Sequence, residues 1–326
     1  MTKTNKPGIS AARSPIQTRL KPQYSSFPLI GSPWMEFKER TVTLSRQARD
    51  LPGTHIQIFE IDVIRQSRIR FQIRRPTGFL LFMLKGQIRF YPQTENSPRR
   101  YESPVHCFCY QPKSTLHMEL EKGQHSALVI GLEPEWFVSG IDKQLHQFSP
   151  VLKAWSLKTS SPIRLEEKQI SESLWNTIHR IRTTRVDDLD HGLDVLQNVA
   201  KCMLRYHQQL ADHREQEDRA KGKKLHTYLT ENFMYDEECR IACILNQLGW
   251  SNWTLRRIAK KALGCSVRTY ITRLRMNRAV DLLENTDLFI QEIAIRVGYS
   301  SPIVFIKAFR KDRGISPNAY RKTRRR

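Results

Sequence analysis

No apolar run in this sequence is long enough to cross a membrane. The longest, Phe79 to Leu84, falls far short of the roughly 20 residues a spanning helix needs. The opening residues, MTKTNKPGISAARS, lack the apolar segment of a secretory leader, so a cytoplasmic protein is expected and no membrane partner. Cysteine is sparse and scattered: Cys107, Cys109, Cys202, Cys239, Cys243 and Cys265 are the six in 326 residues, which excludes a disulfide scaffold. Cys107 and Cys109 share a strand face and Cys239 and Cys243 a helix face, but neither pair has a second Cys/His pair at zinc spacing. They read as inert reduced thiols, with a redox or metal sensor as the alternative. There is no Gly-rich phosphate loop after a strand, no HExxH and no GxSxG, so an enzyme is not expected and no cofactor is implied. His106, His117 and His125 lack the His-x-His and Glu of a cupin metal site and read as ordinary histidines. Acidic residues are also scarce, 32 against 54 basic, for a net charge of +22. From Arg240 to the end, 19 Lys and Arg face five Asp and Glu. That surplus concentrates the positive charge where a phosphate-binding surface would want it.

The length allows about two domains. Residues 1–25 are polar, carry Pro7, Pro15 and Pro22, and read as a disordered basic tail. Residues 26–155 read as a β-rich sensor domain. Ile69, Phe71 and Ile73 alternate with polar neighbours. Phe79–Leu84, Val105–Tyr110 and Ala127–Ile130 are short strands between turn signals, the pattern of a small barrel or sandwich. Glu133-Pro134-Glu135-Trp136-Phe137 has the form of a helix start. Residues 156–213 read as a helical coupling segment. Ile170, Leu174, Ile178 and Ile181 form one apolar stripe. Leu193, Leu196, Ala200, Met203 and His207 form another, fit equally for packing on the β-domain or for a homodimer. Residues 214–222, polar and charged, are the linker candidate, with a helix extension as the alternative for part of it, and 223–326 are helical throughout.

Within that last segment a pattern occurs twice. Lys260-Lys261, Gly264-Cys265-Ser266 and Tyr270 recur 50 residues on as Arg310-Lys311, Gly314-Ile315-Ser316 and Tyr320, and Gly249-Trp250-Ser251 recurs as Gly298-Tyr299-Ser300. Each copy is an apolar helix, a glycine turn and a basic helix, the layout of a helix–turn–helix. In the first, Ile241, Ile244, Leu245 and Leu248 support, Gly249 turns, Ser251 caps, and Leu255, Ile258 and Ala262 face inward. Asn252, Trp253, Arg256, Arg257 and Lys260 are then left for solvent or a major groove, with Trp253 fitting groove or core alike. Arg reads guanine and Asn reads adenine by paired hydrogen bonds. A connecting helix spans about Val267 to Leu283, and on it Arg275 is a candidate internal ion-pairing residue. In the second copy, Ile290, Ile293, Ala294 and Val297 support, Gly298 turns, Ser301 caps with Pro302 at N1, and Phe305, Ala308 and Phe309 pack inward. Its outward residues, Pro302, Ile303, Ile306 and Lys307, make few hydrogen bonds to bases, so this copy is expected to discriminate less. The base-contacting candidates are therefore Asn252, Trp253, Arg256, Arg257 and Lys307. The phosphate-contacting ones are Ser251, Lys260, Lys261, Ser301, Arg310 and Lys311.

Residues 223–323 resemble the DNA-binding domain of the AraC/XylS family of bacterial transcription regulators. The resemblance is carried by Ile293-Ala294, Gly298-Tyr299, Phe305, Ala308-Phe309-Arg310-Lys311, Gly314, Ser316-Pro317 and Tyr320-Arg321. It implies seven helices in two subdomains, with the Trp253, Arg256 and Arg257 positions touching bases. Leu245 stands where the family usually has Ala, and Ala259 where it usually has Phe, an exchange that compensating repacking would allow. A methyl-accepting repair protein with the same kind of domain would need an N-terminal cysteine cluster, and residues 1–106 contain no cysteine.

The fold class expected is α+β: a small β-barrel, cupin-like sensor domain with a helical dimer segment, then an all-α double helix–turn–helix domain. The function expected is a ligand-responsive activator that binds double-stranded DNA as a homodimer and contacts RNA polymerase. A small-molecule effector would occupy a pocket lined by Phe71, Phe79, Leu81, Met83, Phe90, Phe108 and Tyr110. The alternative is a DNA-binding regulator whose N-terminal domain makes only protein contacts.

Overall fold

The computed structural model describes residues 16–18, 22, 25–91, 99–134 and 145–324. The chain divides into two units, Met1–Asp212 and His213–Arg326. Most of the expected tail over 1–25, and residues 135–137 of the expected helix start, lie outside the described residues.

The strands of the first unit are, in chain order, β1 (Ile16–Thr18), β2 (Trp34–Lys38), β3 (Val42–Leu51), β4 (Thr54–Val63), β5 (Ser67–Ile73), β6 (Thr77–Lys85), β7 (Gln87–Tyr91), β8 (Arg99–Glu102), β9 (Val105–Gln111), β10 (Ser114–Leu120), β11 (Gly123–Leu132), β12 (Ile163–Arg164) and β13 (Lys168–Gln169). They form two antiparallel sheets. One runs β1-β2-β3-β4-β11-β6-β9-β12, with β13 also paired to β9; the other runs β5-β10-β7-β8. Closure requires the edge strands to pair, and here β1 and β12 end the first sheet while β5 and β8 end the second. Among the described residues the unit is therefore a pair of sheets and not the closed barrel expected from strand spacing, and the cupin-like expectation goes no further than β-rich. Residues 16–18, expected as tail, pair with β2.

Helices α1 (Ser149–Ser156) and α2 (Glu172–Thr183), and the first part of α3 (Leu189–Asn232), complete this unit. The uniformly apolar run of β6 is explained by cover on both faces. Phe79 and Leu81 line a cavity on one side. On the other, Phe82 stacks on His106, which meets Tyr206 of α3. Burial pushes the His106 imidazole down to about 4. Ile170, Leu174, Ile178 and Ile181 are buried as expected. Of the expected stripe on α3 only Met203 is buried, and Leu196, Ala200 and His207 are half-buried. Val195, Val199, Cys202, Met203, Tyr206 and Leu210 enter the core, while Leu193 is half exposed. Both series have helical spacing, and only the position of the sheet selects between them. Residues 214–222, expected as a linker, are helical within α3. Pairs at i,i+4, Glu215–Arg219 and Glu217–Lys221, support the helix there.

The thiols of Cys107, Cys109 and Cys202 are buried; Cys239, Cys243 and Cys265 are half-buried, and all six are free. A hydrogen bond with Cys109, together with burial, holds the Cys107 thiol well above its ordinary range.

The second unit contains the rest of α3, then α4 (Ile241–Leu248), α5 (Asn252–Leu263), α6 (Val267–Asn285), α7 (Ile290–Arg296), α8 (Pro302–Arg313) and α9 (Pro317–Arg324). It has two apolar cores. Leu225, Leu229, Ile244, Leu255 and Ile258 make one, and Ile293, Ala294, Phe305 and Phe309 the other. Leu245 and Ala259, the paired departures, both sit in the first.

A buried polar network fixes the segment before β2. The Gln47 side chain accepts from Leu29 N–H and donates to Leu29 O and Ser32 O. Glu60 accepts from the Ser26 and Phe27 N–H groups. Gln47→Ala leaves three backbone groups without these partners, and the expected outcome is a loss of about 1–3 kcal/mol in urea unfolding; an unchanged urea midpoint would show that water replaces the amide.

Candidate nucleic-acid interface and cavity

Each helix–turn–helix begins with a short apolar helix ended by a left-handed glycine. Gly249 (φ 67°) follows α4, and Gly298 (φ 88°) follows α7 and its C-cap Val297. At Gly298 space adds to the requirement, because a Cβ would lie 2.6 Å from Met234 O and 3.0 Å from the Arg275 guanidinium. Arg275 is nearly buried. Its Nε donates to Phe233 O at 2.8 Å, its guanidinium lies over the Tyr299 ring, and Asp236 stands 3.6 Å away. It is the internal pairing residue its position on α6 led us to expect.

In the first recognition helix, α5, Ser251 occupies the N-cap and accepts from Thr254 N–H at 3.2 Å. Leu255, Ile258 and Ala259 are buried. Ala262, expected inward, is exposed; it meets α3 instead, where a Cβ on Gly222 would fall 2.6 Å from the Ala262 Cβ. The opposite face carries Asn252, Trp253, Arg256 and Lys260, all exposed. Trp253, at 69% exposure, is thereby placed outside the core.

Arg257, expected to face bases with these four, has a different position. Its terminal nitrogens donate to both oxygens of Asp218 on α3, at 2.6 and 2.7 Å, and its Nε is buried without a partner. The guanidinium also lies over the Trp253 ring. Lys261, expected on phosphate, donates to Asp218 at 2.9 Å and to Glu215. The hydrogen bonds from Arg257, then those from Lys261, hold the Asp218 carboxyl far below the usual carboxylate range, and Arg257 is raised in turn by the bond to Asp218. Asp218 and Glu215 are the residues sequence reading missed. Their one signal was two acids three apart on a helix, matching two bases four apart on another, 39 or more positions along the chain.

The second recognition helix, α8, has Phe305 and Phe309 buried and Ala308 half-buried, as expected. Ser301 is the N-cap residue, but its hydroxyl makes no capping bond, and Pro302 follows it at the start of the helix. Ile303, Ile306, Lys307, Arg310 and Lys311 are exposed. Other basic residues have partners within the unit: Arg313 donates to Asn277 at the surface and Arg321 to Leu288 O.

In the first unit the two sheets face each other across a cavity of about 470 Å³. Phe71, Phe79, Leu81, Phe90 and Tyr110 line it, as expected. Met83 and Phe108 do not. Met83 is wholly buried, and Phe108 points to the other face of β9 against Phe148. Sequence reading missed Phe59, Leu116 and Met118 from β4 and β10, because partner strands in a sheet are not neighbours in the chain. Among the described residues, no group of three or more His, Cys, Asp or Glu is placed to hold a metal, and no helix is long and apolar enough to cross a membrane.

Comparison with known proteins finds similarity over part of the chain. A family described as a helix-turn-helix domain matches residues 244–323. The probable transcription factor PqrA of Proteus vulgaris is 34% identical over 99 residues, which cover 30% of this chain and 78% of that protein. The Msm operon regulatory protein of Streptococcus mutans is 39% identical over 88 residues, and the match spans only 32% of its length. Among solved structures, the C-terminal domain of AraT, a response regulator from Geobacillus stearothermophilus, is 37% identical over 32% of this chain and 84% of that one, with a TM-score of 0.31.

The Asp218 cluster makes a pH prediction. A depressed carboxyl contributes stability that is present above its unfolded value of about 3.9 and is lost as pH falls below it. Asp218→Ala is expected to cost about 1–3 kcal/mol at neutral pH, since Arg257 and Lys261 are partly solvated and recover water. Urea unfolding at pH 7 and pH 3 measures this, and the difference between wild type and variant should shrink at the lower pH. A difference independent of pH would assign the cost to packing.

Proposed function

This chain belongs to the AraC/XylS family of helix–turn–helix transcription regulators, and we propose that it is a sequence-specific, ligand-responsive activator. Its two recognition helices enter successive major grooves of double-stranded DNA, about 34 Å apart. The observation that carries this reading is the repeated unit itself. In each copy the apolar face of the recognition helix is buried and the opposite face, with its cations, is left exposed. Asn252, Trp253 and Arg256 read base edges in the first groove. Lys260, Arg310 and Lys311, with the hydroxyls of Ser251 and Ser301, hold phosphates and set the register. Lys307 is the polar reader of the second helix. Arg257 and Lys261 reach DNA only by leaving Asp218. The effector is a small molecule in the apolar cavity of the first unit. Half-exposed leucines on α3, Leu193 and Leu204, are the surface for a homodimer in the cytoplasm, and the activator contacts RNA polymerase.

Fluorescence anisotropy with the chain's own upstream DNA and a scrambled duplex, at two salt concentrations, tests the DNA reading. Arg256→Ala is expected to lose about 1–3 kcal/mol and to relax preference at one position. Lys311→Ala is expected to weaken both duplexes alike and to flatten the log–log salt slope by about 1. Equal losses on cognate and scrambled DNA for Arg256→Ala would remove it from the base-reading set. A thermal-shift screen tests the cavity, because a ligand at 100 times its Kd adds about 2.7 kcal/mol. Its failure across apolar compounds would favour an N-terminal domain that makes protein contacts only.

A further inference from the structure

The two recognition helices differ in what they expose at corresponding positions. Where α5 carries Trp253 and Arg256, α8 carries, 50 residues on, Ile303 and Ile306. Ile303 is 67% exposed and Ile306 37%, with Val304 beside them at 54%. The burial of Phe305 and Phe309 fixes the rotation of this helix, so Ile303, Ile306, Lys307 and Arg310 share its outer face at helical spacing. β-Branched residues are poor choices for a helix surface left in water, and the rest of the outer face of α8 is cationic. An apolar strip set among Lys307, Arg310 and Lys311 suits an apolar target embedded in a polyanion. The major groove offers one such target, the C5-methyl of thymine.

We propose that α8 is a reader of thymine methyl groups, through Ile303 and Ile306. This rests on the DNA-binding reading above and changes one part of what the sequence led us to expect, that the second unit discriminates little because it lacks hydrogen-bonding groups. Discrimination here comes from apolar contact beside the one polar reader, Lys307, with Arg310 and Lys311 holding the helix in the groove. The two units then differ in their main chemistry: polar donors in the first groove, methyl contacts in the second.

The test uses the full chain. Duplexes are selected from a random pool, and in the consensus each thymine is replaced singly by deoxyuridine, which removes only the methyl. The expected result is one or two sensitive thymines on one side of the consensus, each weakening binding about fourfold, as for one methyl-sized group returned to water. In the Ile303→Ser/Ile306→Ser variant, altered only at exposed positions, that sensitivity should vanish while the rest of the consensus is still preferred. A consensus with no sensitive thymine, or a uracil penalty that persists in the double variant, overturns the inference and leaves the DNA reading standing. Selection of no consensus at all, with steeply salt-dependent binding to every duplex, overturns both.

Discussion

Helix α6 belongs to two hydrophobic cores at once, and the second unit depends on that sharing. Its first half gives Val267, Tyr270 and Ile271 to the core beneath the first recognition helix. Its second half gives Met276, Ala279, Leu282 and Leu283 to the core beneath the second. A helix can do this only if its apolar stripe changes face midway, and Arg275 sits at the change. Its guanidinium ties the backbone after α3 to the ring of Tyr299 beside the second turn. Both helix–turn–helix units are therefore seated on one helix, and the spacing of their outer faces follows its length and rotation.

The positive charge of this chain divides into two populations. Some of it has partners within the unit: Arg275 at the junction, Arg313 and Arg321 on backbone and side-chain oxygens, Arg257 and Lys261 on Asp218. The remainder, including Arg256, Lys260, Lys307, Arg310 and Lys311, lies exposed on the recognition helices. The second population can meet a polyanion with no internal partner to give up. The Asp218 cluster is of mixed use, since it clamps α3 to α5 and also occupies a guanidinium that stands among the outward residues of the recognition helix.

The first unit shows how much depends on register. The apolar run of β6 was legible as a buried strand, and five of the seven residues expected at the pocket line the cavity. Phe108 failed because alternation does not say which face of β9 looks into the cavity: Cys109 lines it, while Phe108 packs against Phe148. Met83 failed because sharing a face does not set depth. The stripe on α3 failed, Met203 apart, for a related reason. Two series at helical spacing were available, and the sheet packed against the one containing Val195, Val199 and Tyr206.

By itself the sequence determined the repeated helix–turn–helix, its glycine turns, the Ser251 cap and the inward positions Leu255, Ile258, Phe305 and Phe309. These follow from local spacing, backbone conformation and side-chain type within a few residues. The open ends of the sheets, the lining of the cavity and the pairing of Arg257 with Asp218 were decided only by the tertiary structure. Each joins groups far apart in the chain, and a long-range ion pair leaves no periodicity behind. An arginine on the outside of a recognition helix looks the same in sequence whether it faces solvent or a carboxylate 39 residues away, and only packing of α3 against α5 distinguishes the two.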